Sequence, residues 1–290
     1  MSVFARPPEE RATSRGKDLA QRPKGIPVHA PADSVARRLG IGVGRWTLLA
    51  ILLVLWQLAH LWLGAYTIAS PLDTFGRLVE MVQDGTVWRH LGATARVSAI
   101  GLVAGWLAGL LVALALARSP RLASAVEPYI LASMGVPKFA MAPLLILWFG
   151  IGDAPKVVVV TLMVFYVVFI TAISGLRAID GRLLLMSRLM GASSWGSTRE
   201  ILLPSITPYV LSGLKVAIPR AISAAVVGEF LVAESGLGYY IEYSRQTSDT
   251  VGVYAGLVVV TALVLSSDAL LGLLTRRLLA WRPAAAAAGR

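Results

Sequence analysis

Six stretches of this chain run through mostly apolar residues with few charges, at 46–64, 92–117, 126–149, 157–176, 207–233 and 251–274. A helix needs about 20 such residues to cross a hydrocarbon layer about 30 Å thick. The pattern predicts an all-α, polytopic membrane protein of six transmembrane helices whose two ends lie on one side. Between the first two spans, Leu72, Phe75, Leu78, Val79 and Val82 recur at helical spacing among Asp73, Arg77, Glu80 and Asp84. This reads as a short amphipathic helix at the outer surface, which either docks a partner or only seals the lipid interface. The chain divides into a basic tail over 1–45, a first transmembrane helix over 46–70, a core over 71–282 and a low-complexity tail over 283–290. The first tail, rich in Pro, Arg and Ala, is expected to be disordered. Its charged region is too long, and the apolar run after it too close to a full span, for a cleaved signal peptide.

Departures from uniform apolarity mark where the spans do more than cross. Gly101, Gly105 and Gly109 recur every four residues in the second span and place a small-residue stripe where another helix backbone can approach. In the third span Pro137, Lys138 and Pro143 interrupt the helix, which should kink or locally open. Lys138 either faces a watery cavity or snorkels to the inner interface. The fifth span holds Lys215, Pro219, Arg220 and Glu229. At 100° and 1.5 Å per residue, Arg220 and Glu229 lie on opposite faces, about 13 Å apart along the axis, and cannot pair with each other. Each needs a partner elsewhere, so Lys138, Pro143, Lys215, Arg220 and Glu229 are the candidates for lining a pathway. Glu229 lies near the outer end, and the lesser alternative is that it is simply a residue of the outer surface.

Composition agrees: 56% hydrophobic and 15% charged residues are too apolar for a water-soluble domain of 290 residues. Of the 27 Lys and Arg, nineteen fall in the N-terminal tail, the connection at 118–121, the stretch 177–204 and the tail from Arg276, against four on the opposite face. By the positive-inside rule, both termini and the 177–204 stretch are expected in the cytoplasm. The net charge of +11 is thus topological, and its division between a tail and short loops excludes a nucleic-acid surface.

No constellation for catalysis appears. Cysteine is absent, and His29, His60 and His90 are scattered among a tail, a span and an outer connector without metal-ligand spacing. No Gly-rich loop followed by Lys-Ser/Thr is present, so ATP is not handled by that route. A membrane-embedded enzyme fails for want of paired groups. An ion-coupled secondary transporter would need inverted repeats and a midplane carboxylate.

The stretch 180–204 is long for a connector, helical in pattern, broken at Gly191 and expected to stop at Pro204. A compact cytoplasmic projection of this kind suits docking. Gly191, with Ile201 ten residues on and then Leu203-Pro204, resembles the EAA loop of ABC importer permeases. Further matches are the run from Pro143 to Gly152, Gly191-Ala-Ser-Ser-Trp195, Gly228-Glu229, Ser235-Gly-Leu-Gly238 and the terminal Arg-Arg-Leu-Leu-Ala-Trp-Arg282. Together they resemble the nitrate, sulfonate and taurine branch of the binding-protein-dependent permeases over 71–282. The resemblance implies a coupling helix that sits in a groove of a separate ATPase, with Leu185, Ser187, Arg188, Gly191, Ala192, Trp195, Ile201, Leu203 and Pro204 at the contact. It also implies a bacterial inner-membrane location, two ATPase subunits carrying ATP and Mg²⁺, a periplasmic solute-binding protein and a second permease copy, most simply a homodimer. No cofactor or metal is expected on this chain. The cargo implied is a sulfonate, taurine, nitrate or similar anion, although related permeases carry neutral or cationic vitamin precursors. One departure stands out: Leu185, Met186 and Ser187 occupy the family's Glu-Ala-Ala positions, so coupling would rest on packing and on Arg182, Arg188 or Arg199.

Overall fold

The computed structural model describes residues 35–231 and 234–278, with side chains from Gly44 onward except those of residues 184, 188, 194 and 278. Residues 1–34 and 279–290, and with them most of both expected tails, lie outside the described residues. Eleven α-helices and no strand occur among the described residues. They are α1 (Val35–Leu63), α2 (Pro71–Gln83), α3 (Thr86–Ala117), α4 (Pro120–Ser133), α5 (Ala142–Phe149), α6 (Asp153–Arg177), α7 (Gly181–Leu189), α8 (Ser194–Ser197), α9 (Leu203–Leu231), α10 (Leu237–Gln246) and α11 (Thr250–Leu278). The described residues fall into two units that divide between Leu55 and Trp56. In the first, α1 begins at Val35, eleven residues before the expected span and inside the stretch read as tail. Ala36, Arg37, Arg38 and Leu39 are good helix formers and extend the apolar helix backwards. From Gly44 to Leu55 every residue is exposed, as suits a helix bathed in lipid.

Within the second unit, α3, α6 and α9 form a slab in which side chains are small wherever backbones meet. A Cβ on Gly101 would fall 2.5 Å from Val160, one on Gly105 2.5 Å from the Thr161 carbonyl oxygen and one on Gly109 2.8 Å from that of Phe165. The glycine stripe is thus the α3–α6 contact. On the other side of α6, a Cβ on Gly175 would fall 2.9 Å from the Tyr209 side chain, and Ala217, Ala221, Ala224 and Ala225 of α9 are buried against Val160, Val164 and Val168. Lipid offers no hydrophobic gain for this association, so close van der Waals packing holds the slab together.

Among the described residues five helices are long and apolar enough to cross, and α4 pairs with Lys138–Phe149 as a further candidate bent by 83°. The bend falls where the prolines predict it: Pro137 caps a 3₁₀ turn, Lys138–Met141, and Pro143 is the second residue of α5. The expected stop at Pro204 does not occur. Ser194–Ser197, a π turn over Thr198–Leu202 and α9 run on as one helical rod, Trp195–Leu231. In the π turn the Leu203 N–H bonds back five residues to the Thr198 carbonyl. The widened turn makes room for a proline ring that would clash in a regular α-helix. At the end of the slab where α9 terminates, α2, α10 and α11 pack on the start of α3 and share with it a cluster of Met81, Val87, Leu237, Ala255 and Val259.

Candidate functional site

At the opposite end of α9, residues 180–204 fold as a short helical hairpin. Asp180 caps α7, its Oδ1 accepting from the Arg182 N–H at 2.9 Å. Gly191 ends α7 at φ +82°, and the Ala192 N–H bonds to the Ser187 carbonyl at 3.0 Å, a Schellman closure that glycine makes without strain. Ser193 then caps α8 by accepting from the Gly196 N–H at 3.0 Å. The Ser187 and Ser197 hydroxyls meet at 3.1 Å and fold the two pieces together. The outward edge is apolar: Leu183, Leu185, Met186, Leu189, Met190 and Trp195 are all at least half exposed, Met190 at 85%. Ala192, Pro204, Arg182 and Arg199 are also exposed, while Ile201 and Leu203 are half-buried. Arg188 lies in α7, but its side chain is outside the described residues. Arg199, Leu203, Pro204 and Thr207 border an open hollow of about 400 Å³ beside this edge.

The intramembrane candidates separate. Lys215 and Arg220 are exposed, and Tyr209, Ser212, Val216, Arg220, Ser223 and Phe230 form one outward stripe of α9, with Lys215 on its flank. Lys138 is buried: its Nζ donates to the Met134 carbonyl and stands 4.6 Å over the Tyr166 ring, whose hydroxyl meets Ser133 Oγ at 2.9 Å. It pins the 83° bend by capping the end of α4, which is neither of the two expected placements. Pro143 is exposed. Glu229 is 2% exposed and faces inward, opposite Arg220 as the helical angle requires. A cavity of about 360 Å³ between α3, α9 and α11 is lined by Ala99, Leu102, Ile218, Ile222, Leu263 and Leu271 among others, and by none of these candidates.

Around Glu229 lies a network that sequence reasoning missed. Thr94 Oγ1 donates to Glu229 Oε2 at 2.9 Å, the Gly238 N–H donates to the same oxygen at 2.8 Å and the Leu237 N–H donates to Thr94 Oγ1 at 2.8 Å. The Gly236 N–H donates to His90 Nδ1 at 3.2 Å. His90 is therefore buried in α3 and not in an outer connector. The Gly228-Glu229 and Ser235-Gly-Leu-Gly238 motifs were the available signal, but neither names Thr94 or His90. Nearby, Asp153 joins Arg96 and Lys156, the latter at 2.8 Å. Outside the spans, Arg77 bonds Asp249 at 2.8 Å, and although burial works against its charge, Asp249 and Tyr240 hold its pKa above the ordinary value. Hydrogen bonds from Arg245 and Gln246 pull the surface Glu242 carboxyl down to about 2. No group of three or more potential metal ligands occurs among the described residues.

A slab of close-packed spans, a broken span and an ordered apolar projection define a multi-pass helical membrane protein. Residues 101–280 match the family of the binding-protein-dependent transport system inner membrane component, and the chain belongs to that family of ABC importer permeases. It is 31% identical to the formylaminopyrimidine transport permease protein ThiX of Halalkalibacterium halodurans, over 80% of this chain and 93% of that one. Identity is 33% to the riboflavin transport system permease protein RibX of Chloroflexus aurantiacus, over 80% and 88%. It is 29% to the putative aliphatic sulfonates transport permease protein SsuC of Bacillus subtilis, over 80% and 85%. The fold is that of a chain of the MetNI methionine ABC transporter in an inward-facing conformation, with a TM-score of 0.56 at 20% identity, covering 64% of this chain and 91% of that one.

Proposed function

We propose that two copies of this permease subunit pair around a pathway and that two ATPase subunits dock on residues 180–204. The termini and that projection face the cytoplasm, and a periplasmic solute-binding protein delivers cargo at the α10 end. The observation that carries this reading is the apolar edge of α7 and α8, where Leu185, Leu189, Met190 and Trp195 stand 59%, 79%, 85% and 66% exposed beyond the spans. A contiguous exposed patch of this kind calls for a protein partner. It also answers the missing Glu-Ala-Ala: the interface rests on apolar packing, with Arg182 and Arg199 at its rim. ATP and Mg²⁺ belong to the partner subunits, and this chain's part is to shift between inward-facing and outward-facing states that its partners bind with different affinity.

The cargo is a small anion of the sulfonate, taurine or nitrate type. Arg220 supports this, standing on the outward stripe of α9 between Ser212 and Ser223, where a cation attracts an anion strongly in a low-dielectric lumen. A vitamin precursor is the second reading, favoured by the cargoes named for the two relatives at 31% and 33% identity. Replacing Leu189 and Met190 by Asp is expected to release the ATPase subunits from purified complex while the chain still inserts and melts normally. ATPase recovery at wild-type levels would refute the docking role. Calorimetry of sulfonates and of pyrimidines against the binding protein that stimulates the complex decides between the cargoes.

A further inference from the structure

The first amides of a helix lack partners inside it, and a local Ser, Thr, Asp or Asn normally supplies one. In α10 the capping residue is Gly236, which has no side chain to offer. Three successive amides, those of Gly236, Leu237 and Gly238, are instead taken by His90, Thr94 and Glu229, side chains of two membrane-spanning helices. The position of α10 is therefore tied to α3 and α9. The fit is tight: a Cβ on Gly236 would meet the Glu229 carboxylate, one on Gly238 would fall 2.7 Å from Glu229 Cβ and one on Gly228 3.3 Å from Lys156. All three capping side chains are buried, at 3%, 0% and 2% exposure. Oxygen Oε2 of Glu229 takes both hydrogen bonds, while Oε1 is buried with no hydrogen-bond partner. The cap thus uses an acceptor atom rather than a paired charge.

Glu229 stands two residues from the end of the rod Trp195–Leu231, whose other end carries Trp195 of the exposed apolar edge. At 1.5 Å per residue the rod is about 55 Å long. On the outside, α10 presents Tyr243 at 54% exposure and the Glu242–Arg245 pair.

We infer that Thr94 and Glu229 form a joint that transmits engagement of α10 by the solute-binding protein along α9 to the ATPase-docking projection. They are positioning residues rather than cargo ligands. This rests on the importer reading above and specifies how its two ends communicate.

The experiment uses the full complex in lipid nanodiscs, with ATP hydrolysis measured with and without loaded binding protein. T94V keeps the side-chain shape but removes both the acceptor for the Leu237 N–H and the donor to Glu229. It is expected to lower the stimulation about tenfold, a typical coupling magnitude, with the unstimulated rate unchanged. T94S and E229Q, which keep the hydroxyl and an acceptor oxygen, retain the stimulation, whereas E229A loses it. Because the chain has no cysteine, a spin label at Y243C gives a second measurement independent of turnover. Its distance to the partner copy's label should change on nucleotide binding in the wild-type background and stay fixed with T94V. Full stimulation of T94V, a nucleotide response of its label, or loss of stimulation in E229Q equal to that in E229A would each overturn the joint. A wild-type complex that no binding protein stimulates would instead overturn the importer reading itself.

Discussion

Arg77 in α2 and Asp249, just before α11, lie 172 residues apart in sequence and 2.8 Å apart in space. Asp249 also accepts from the Gly252 N–H at 2.9 Å, so one carboxylate both caps α11 and fastens the amphipathic helix to it. Half-exposed ion pairs contribute about 0.2–1 kcal/mol, and a helix cap about 1 kcal/mol. D249A should therefore cost more than R77A, and D249N, which keeps the cap and loses the ion pair, should cost about as much as R77A. Melting of the detergent-purified chain, taken as a double-mutant cycle, gives the order; an R77A loss larger than that of D249A contradicts it.

The glycine stripe permits a sharp contrast within one helix. A Cβ on Gly105 collides with the backbone of α6 at 2.5 Å, whereas one on Gly92 meets nothing within 4 Å. G105A is expected to destabilise by about 1–3 kcal/mol, as overpacking does, while G92A is neutral or stabilising by up to about 1 kcal/mol through helix propensity. Equal melting temperatures for the two variants would mean that α3 and α6 do not touch along this stripe.

Gly191 holds φ +82°, and a Cβ added there would meet no atom within 4 Å, so its need is conformational and not steric. A left-handed conformation costs an ordinary residue about 1–2 kcal/mol, and Asn tolerates it better than Ala. G191A should weaken ATPase co-purification more than G191N. The reverse order would show that the Schellman turn does not set the docking geometry.

Lys138 gives the bend of α4 and α5 its own test. K138M removes both the bond to the Met134 carbonyl and the contact with the Tyr166 ring, an expected loss of about 1–3 kcal/mol. Y166F keeps the ring beneath the ammonium and loses only the bond to Ser133, so its melting temperature should fall less than that of Y166L. A K138M protein as stable as wild type would return Lys138 to the role of a solvent-facing pathway residue.

Much of this architecture was legible because its causes are local. Apolar runs located the spans, since only a helix satisfies its own backbone in hydrocarbon. Pro137 located the bend, the glycine stripe a helix contact, and Gly191 the turn. Pro204 misled because a lone proline reads as a stop, whereas a π turn over the preceding five residues lets the helix continue. His90 misled for a related reason: a polar residue near a span boundary looks like connector, and only its contact with the Gly236 amide places it inside.

The sequence by itself therefore located the crossing elements, the break at Pro137 and the turn of the projection, all governed by periodicity and nearest-neighbour backbone geometry. Only the tertiary structure decided that Lys138 caps a helix, that Arg220 faces outward and that Glu229 joins Thr94 in holding α10. The Glu229 role depends on a hydrogen bond between residues 135 apart in sequence, and no local pattern encodes which distant donor a buried acceptor will meet.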